Sequence, residues 1–155
     1  MSDYNQLKEE LVRLLAEKDK RVQHNKIDTI FPNHGTYRRE LYPKQLLFFD
    51  AGRTYSQRAA IAANGVGKTT MGAYETACHL TGIYPKWWTG HRFSHPTRGW
   101  CASVTNQATK DILQYELLGS TLDVGTGMIA ADKIIKTTSK AGVPNAVETI
   151  YIRHI

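Results

Sequence analysis

Cysteine is scarce in this chain. It has two, Cys78 and Cys101, too few and too widely spaced for the framework of a small secreted domain, and they read as reduced core thiols. Long apolar runs are missing as well. No stretch approaches the ~18 residues needed to span a bilayer, and the acidic, polar N-terminus lacks a secretory signal pattern, so residence in a cytoplasm is the expectation. Basic charge is present but not concentrated. Twenty Lys and Arg against 14 Asp and Glu give a net charge of +6, which suits a polyanionic partner. The basic residues are scattered, however, as at Arg38-Arg39, Lys133 and Lys136, and scattered charge argues only weakly for nucleic acid. Clustered carboxylates are lacking too, which speaks against a metal-dependent nuclease centre. Six histidines include His91 and His95 in one loop with no third ligand nearby, so no zinc site is expected.

What remains is ordinary globular composition, 41% apolar and 22% charged over 155 residues, enough for one domain with a core. There is no internal repeat. Leu7, Leu11, Leu14 and Leu15 fall at helical spacing over residues 4–20, predicting an amphipathic helix that packs on its own domain. Residues 24–41, with Pro32, Asn33 and Gly35, predict mostly loop. Pro43 opens a short helix through Phe49, and Arg58–Ala62 reads as a buried strand. A helix over Lys68–Leu80 ends at Gly82. Residues 83–99 form an irregular excursion in which Trp87-Trp88 anchors the segment to the core. Gly99–Val104 reads as a second strand, Thr105 or Asn106 caps a helix to Leu118, residues 119–131 are glycine-rich, and Ala146–Ile152 is a last strand. Strand, glycine-rich turn, helix and strand in this order predict an α/β fold with a parallel sheet and flanking helices, incomplete in this chain. The organisation expected is an N-terminal helix and loop over 1–35, followed by the first part of a nucleotide-binding domain over 36–155.

The sharpest motif is Ala62-Ala63-Asn64-Gly65-Val66-Gly67-Lys68-Thr69, a Walker A pattern with Ala in place of the first Gly. Gly65 and Gly67 allow backbone turns that point successive N–H groups inward. The start of the following helix adds unpaired N–H groups and partial positive charge, which suits an anion. Lys68 then reaches the β- and γ-phosphates of ATP, and the Thr69 hydroxyl ligates Mg2+, with Thr70 completing the binding segment. Asn64 belongs to the binding segment either as a turn-favouring residue or as a γ-phosphate contact. Upstream, Tyr42-Pro43-Lys44-Gln45 places an amide with one acceptor and two donors where it can read an adenine edge, with Tyr42 as a candidate stacking platform.

These segments together resemble the N-terminal ATPase domain of the large terminase subunit of tailed bacteriophages. The resemblance rests on Tyr42-Pro-Lys-Gln45 with Asp50-Ala-Gly52, on Ala62–Thr69, on Ala77–Trp88 with Gly90-His-Arg-Phe93, and on Gly125-Thr-Gly-Met128 with Ile134. It implies a P-loop fold of the ASCE, RecA-like type. It also implies ATP hydrolysis coupled to pumping double-stranded DNA through a portal protein into a procapsid, in the host cytoplasm. A ring of subunits and a small terminase subunit are the further partners it implies. Gln45 inherits adenine recognition, and Ala62–Thr69 inherit nucleotide binding, with Lys68 and Thr69 as the catalytic candidates. The family's Walker B strand and nuclease domain have no counterpart: Asp111, Glu116, Asp123, Asp132 and Glu148 follow the second strand, and none closes an apolar strand. Little hydrolysis by this chain alone is therefore expected. An arginine that stabilises transferred charge could be Arg58, Arg92, Arg98 or Arg153. A helicase with a glutamine-type adenine motif is the alternative, because Pro96-Thr97-Arg98 resembles a helicase motif, although it precedes the second strand. A non-catalytic nucleotide-binding assembly module is the other.

Overall fold

The computed structural model describes residues 2–24 and 26–155, with side chains described over 4–17 and 26–155. Among the described residues, six α-helical segments and one hairpin organise the chain: α1 Ser2–His24, α2 Lys26–Thr29, α3 Pro43–Ala51, α4 Lys68–Thr81, α5 Asn106–Ala108 and α6 Tyr115–Leu118, then β1 Ile134–Ser139 and β2 Val147–Ile152. A π-helical stretch, Thr109–Gln114, joins α5 to α6 into one rod. Thr105 caps that rod, its side chain accepting from the Ala108 N–H, as Ser, Thr and Asn at this position do.

Helix α4 is the centre of the fold. Met71, Ala73, Tyr74, Ala77, Cys78 and Thr81 are buried on it, a three-and-four spacing that gives one apolar face. Gly82 ends the helix in the left-handed region, its N–H donating to the Cys78 carbonyl, a conformation that a side chain disfavours. Against one side of α4 lies an aromatic cluster. Phe31 meets Tyr42, Phe49, Tyr74 and Trp87 edge-on, with centroids 5.2–6.0 Å apart, the arrangement that ring quadrupoles favour. Trp88 is buried against Phe49, 4.8 Å between centroids, and donates its ring N–H to the His91 carbonyl, so the Trp87-Trp88 pair does anchor the excursion. At the other end, Leu117 and Leu118 of α6 bury with Met128 and Ile129. Those two residues arrive because the glycine-rich segment folds back, with Met128 and Ile129 N–H groups donating to the Glu116 and Leu117 carbonyls.

Four expectations are corrected. The parallel sheet does not form among the described residues: Arg58–Ala62 and Gly99–Val104 run without a strand partner, leaving Ile61 96% and Trp100 99% exposed. A buried parallel strand needs a neighbour on each side to take its N–H and C=O groups, and neither segment has one. The last strand exists as β2, but it pairs antiparallel with β1, a strand absent from the sequence reading. Their connection, residues 140–146, is too short for the crossover of a dozen or more residues that parallel pairing requires. Third, every described side chain of α1 is exposed, Leu7, Leu11, Leu14 and Leu15 included, so the helix does not pack on its domain through that stripe. Fourth, Cys78 is a core thiol but Cys101 is exposed, because it lies in the unpaired Gly99–Val104 segment. The mostly-loop segment 24–41 also contains α2 and a 3-10 turn at Arg39–Leu41.

Candidate functional site

The glycine-rich loop and the two helices around it meet at one place. Gly65 and Gly67 hold φ of 78° and 81°, in the left-handed region that glycine reaches without strain. A Cβ at either would meet nothing within 4 Å, so conformation and not space demands glycine there. Gly67 sits at the N-terminus of α4 with no side chain capping it. The first backbone bond runs from the Met71 N–H to the Gly67 carbonyl, 2.9 Å. Like any helix start, the N–H groups of the first turn, here Lys68, Thr69 and Thr70, have no intrahelical acceptor, and they carry the positive end of the helix dipole. Thr69 is exposed and Thr70 half-buried, as is Lys68, while Ala62, Ala63, Asn64 and Val66 are exposed. The Lys68 ammonium lies back across the loop, donating to the Ala62 and Ala63 carbonyls at 2.6 Å each.

Helix α3 supplies the second wall. Tyr42 is its N-cap and Pro43 its first residue, which places Gln45 in the opening turn. The Gln45 amide donates to the Val66 carbonyl at 3.0 Å, so the upstream motif and the loop are in direct contact. Tyr42 is half-buried and set edge-on to Phe31, 5.6 Å and 82°, tying α3 to the aromatic cluster.

Arg58 fixes the lead-in to the loop. Its guanidinium donates to the Phe48 carbonyl at 2.6 Å and to Glu75 Oε1 at 2.9 Å, and it lies over the Phe48 ring at 4.5 Å. Glu75 is buried on α4, and its carboxylate also faces His79 Nε2 at 3.5 Å. His79 Nδ1 pairs with the Tyr84 hydroxyl at 3.0 Å, and that hydroxyl accepts the Phe93 N–H at 2.9 Å. The Tyr84 hydroxyl therefore bridges His79 and the Phe93 backbone, and His79 bridges that hydroxyl and the Glu75 carboxylate. Burial raises the Tyr84 pKa. The chain Arg58–Glu75–His79–Tyr84 thus joins the loop, α4 and the excursion. Sequence reading did not find Glu75 or His79. Their four-residue helical spacing was a visible signal, whereas the Arg58–Glu75 pairing had none.

Of the other arginines, Arg92 donates to the Trp88 carbonyl at 3.2 Å and lies over Tyr84 at 5.4 Å, while Arg98 and Arg153 are exposed. Four acids are engaged with neighbours: Asp111 with Gln107 and Lys110, Glu116 with Lys26, Asp132 with Lys133, and Glu148 with Lys140. Among the described residues no group of three His, Cys, Asp or Glu stands close enough to hold a metal ion, and no helix is long and apolar enough to cross a membrane. An open depression of about 540 Å³, lined by Arg53, Trp88, Thr89, Gly90, His91 and Arg92, includes none of the loop residues.

Comparison with known proteins places this arrangement. The profile described as "Terminase large subunit, T4likevirus-type, N-terminal" matches residues 60–152, a span that starts just before the loop and ends on β2. The large terminase subunit of Salmonella phage P22 is 33% identical over 169 residues, covering 99% of this chain and 32% of that protein. The chain therefore spans about a third of the length of the curated relative. No solved structure matches it. A family profile covering more than half of the chain and a relative aligned along nearly all of it agree: the chain belongs to the terminase large-subunit family.

Proposed function

We propose that this chain is the ATP-binding part of a phage DNA-packaging motor with a P-loop fold, acting in the host cytoplasm to drive double-stranded DNA through a portal into a procapsid. The observation that carries the reading is the turn at Gly65–Gly67 running into the uncapped start of α4, with Lys68 lying across it. Backbone N–H groups, a helix dipole and an ammonium then converge on one spot, the combination that binds a polyphosphate. On binding, the Lys68 ammonium exchanges the Ala62 and Ala63 carbonyls for β- and γ-phosphate oxygens. Thr69, exposed in the first turn of α4, is the side chain to hold Mg2+ beside those oxygens. Gln45 and Tyr42 stand on the adenine side. The ring of motor subunits and the small terminase subunit belong to the same proposal through the family.

Hydrolysis needs a carboxylate that orients the attacking water and supports the metal. Asp111, Glu116, Asp132 and Glu148 are engaged elsewhere, and Asp123 lies in the glycine-rich turn, its backbone bonded to Ser120 and Thr126, so the reading gives this chain nucleotide binding with little turnover of its own. Calorimetric titration of MgATP into the chain and into Lys68→Ala tests it. Loss of a charge-assisted phosphate contact worth roughly 1.5–3 kcal/mol weakens binding by about ten- to a hundredfold. Equal affinity in the two proteins would refute the phosphate role.

A further inference from the structure

The Gln45–Val66 hydrogen bond spans two motifs that sequence reading treats as separate. We propose that Gln45 is a positioning residue which couples base recognition to the shape of the phosphate loop, with the Val66 carbonyl setting which way its amide faces. The proposal rests on the reading that the loop binds a nucleotide with adenine near α3.

A glutamine amide has two N–H donors on one side and one acceptor on the other. One N–H is committed to the Val66 carbonyl at 3.0 Å. Turning the amide over would place its own oxygen against that carbonyl, two acceptors facing each other, so the contact fixes the orientation. The second N–H and Oε1 remain for a ligand, side by side, as a donor and an acceptor. Adenine presents the complement, an amino donor beside a ring acceptor, and a side-chain amide meets that edge with two bonds. Guanine presents two acceptors along the corresponding edge, and one of them would face Oε1. Preference for adenine then comes from the backbone of the loop, acting through Gln45.

The coupling runs in the other direction as well. Val66 lies between two residues at positive φ, Gly65 and Gly67, the most permissive backbone in the segment. Its peptide forms the arch over which a phosphate would sit. A bond from the first turn of α3, itself packed into the aromatic cluster through Tyr42, restrains that arch from outside. Removing the amide therefore loosens the loop for any polyphosphate, including one with no base.

Inorganic tripolyphosphate provides the probe. Its affinity, and those of ATP and GTP, are measured with Mg2+ on the full chain, on Gln45→Ala and Gln45→Met, and on Lys68→Ala. Gln45→Met keeps the length of the side chain and removes its donors. Thermal unfolding of each variant establishes that it is folded; should Gln45→Ala unfold, Gln45→Met carries the test. The expected result is that both Gln45 variants bind tripolyphosphate about three- to tenfold more weakly, the loss of one neutral hydrogen bond, and that the ATP-to-GTP ratio falls toward one. Unchanged tripolyphosphate affinity with a lowered ATP-to-GTP ratio would overturn the coupling and leave Gln45 as a base contact alone. A lowered tripolyphosphate affinity with an unchanged ratio would overturn the orientation argument. If the parent and Lys68→Ala bind tripolyphosphate and ATP equally, the nucleotide reading itself fails, and the proposal with it.

Discussion

Arg58 offers the sharpest test of how the loop is held. Sequence alone left it a candidate for stabilising transferred charge, but its geometry is that of a brace. Its side chain is 19% exposed and that of Glu75 9%, and the pair closes at 2.9 Å with a further bond to the Phe48 carbonyl. Arg58→Ala leaves the Glu75 carboxylate in the interior with only His79, at 3.5 Å, and strips a donor from the end of α3. Breaking a buried pair from one side costs ~3–5 kcal/mol, because an uncompensated charge is left behind. The partial access of water to Arg58 places this case at the lower end, about 3 kcal/mol. At roughly 2–4 °C per kcal/mol for a chain of this size, the melting temperature falls by about 6–12 °C. The double variant Arg58→Met with Glu75→Leu removes both charges and is expected to recover most of that loss, since well-packed apolar groups replace buried ion pairs at little cost. The assay is urea unfolding of parent, single and double variants, followed by circular dichroism. A change within ~0.5 kcal/mol for Arg58→Ala, the range of an ordinary surface substitution, would refute the brace. So would a double variant no more stable than the single.

Three further outcomes are expected. Burial pushes the Cys78 thiol from 9.0 up to about 12; the unfolded chain then loses this proton first, so the thiol's contribution is intact below the lower value and falls by ~1.4 kcal/mol per pH unit between the two, and Cys78→Ala should flatten the alkaline limb of a stability-against-pH curve. Ile61 is almost wholly exposed, so Ile61→Ser should change stability by less than ~0.5 kcal/mol while reducing self-association seen by light scattering, because a row of unpaired strand groups beside an apolar side chain invites edge pairing. Phosphate release by the purified chain should be indistinguishable from that of Lys68→Ala, and turnover near ~10 per second abolished by that substitution would reveal a carboxylate acting on the loop.

Local chemistry was legible in the sequence to the extent that local forces decide it. Pro43, Gly67, Gly82 and Thr105 each fix a helix boundary through their own backbone or side-chain preference, and α3, α4 and the rod from Asn106 lie where those residues put them. The loop is equally local: two glycines at positive φ and a lysine one residue later need no distant partner to take their form. Strands depend on what lies beside them. Arg58–Ala62 and Gly99–Val104 have the composition of buried strands, yet burial is conferred by neighbours, and among the described residues no strand flanks them. The Ile134–Ser139 strand escaped notice for the converse reason. Lys136, Thr137, Thr138 and Ser139 carry no apolar alternation, and it is the facing Val147–Ile152 segment that makes a strand of them. The Glu75 network and the Gln45–Val66 contact share this property, joining residues far apart in the chain through groups that are individually unremarkable. A motif therefore announces its own local shape, whereas the contacts that brace it, from the guanidinium of Arg58 to Glu75 and from the Gln45 amide to the Val66 carbonyl, become visible only once the helices around the loop are in place.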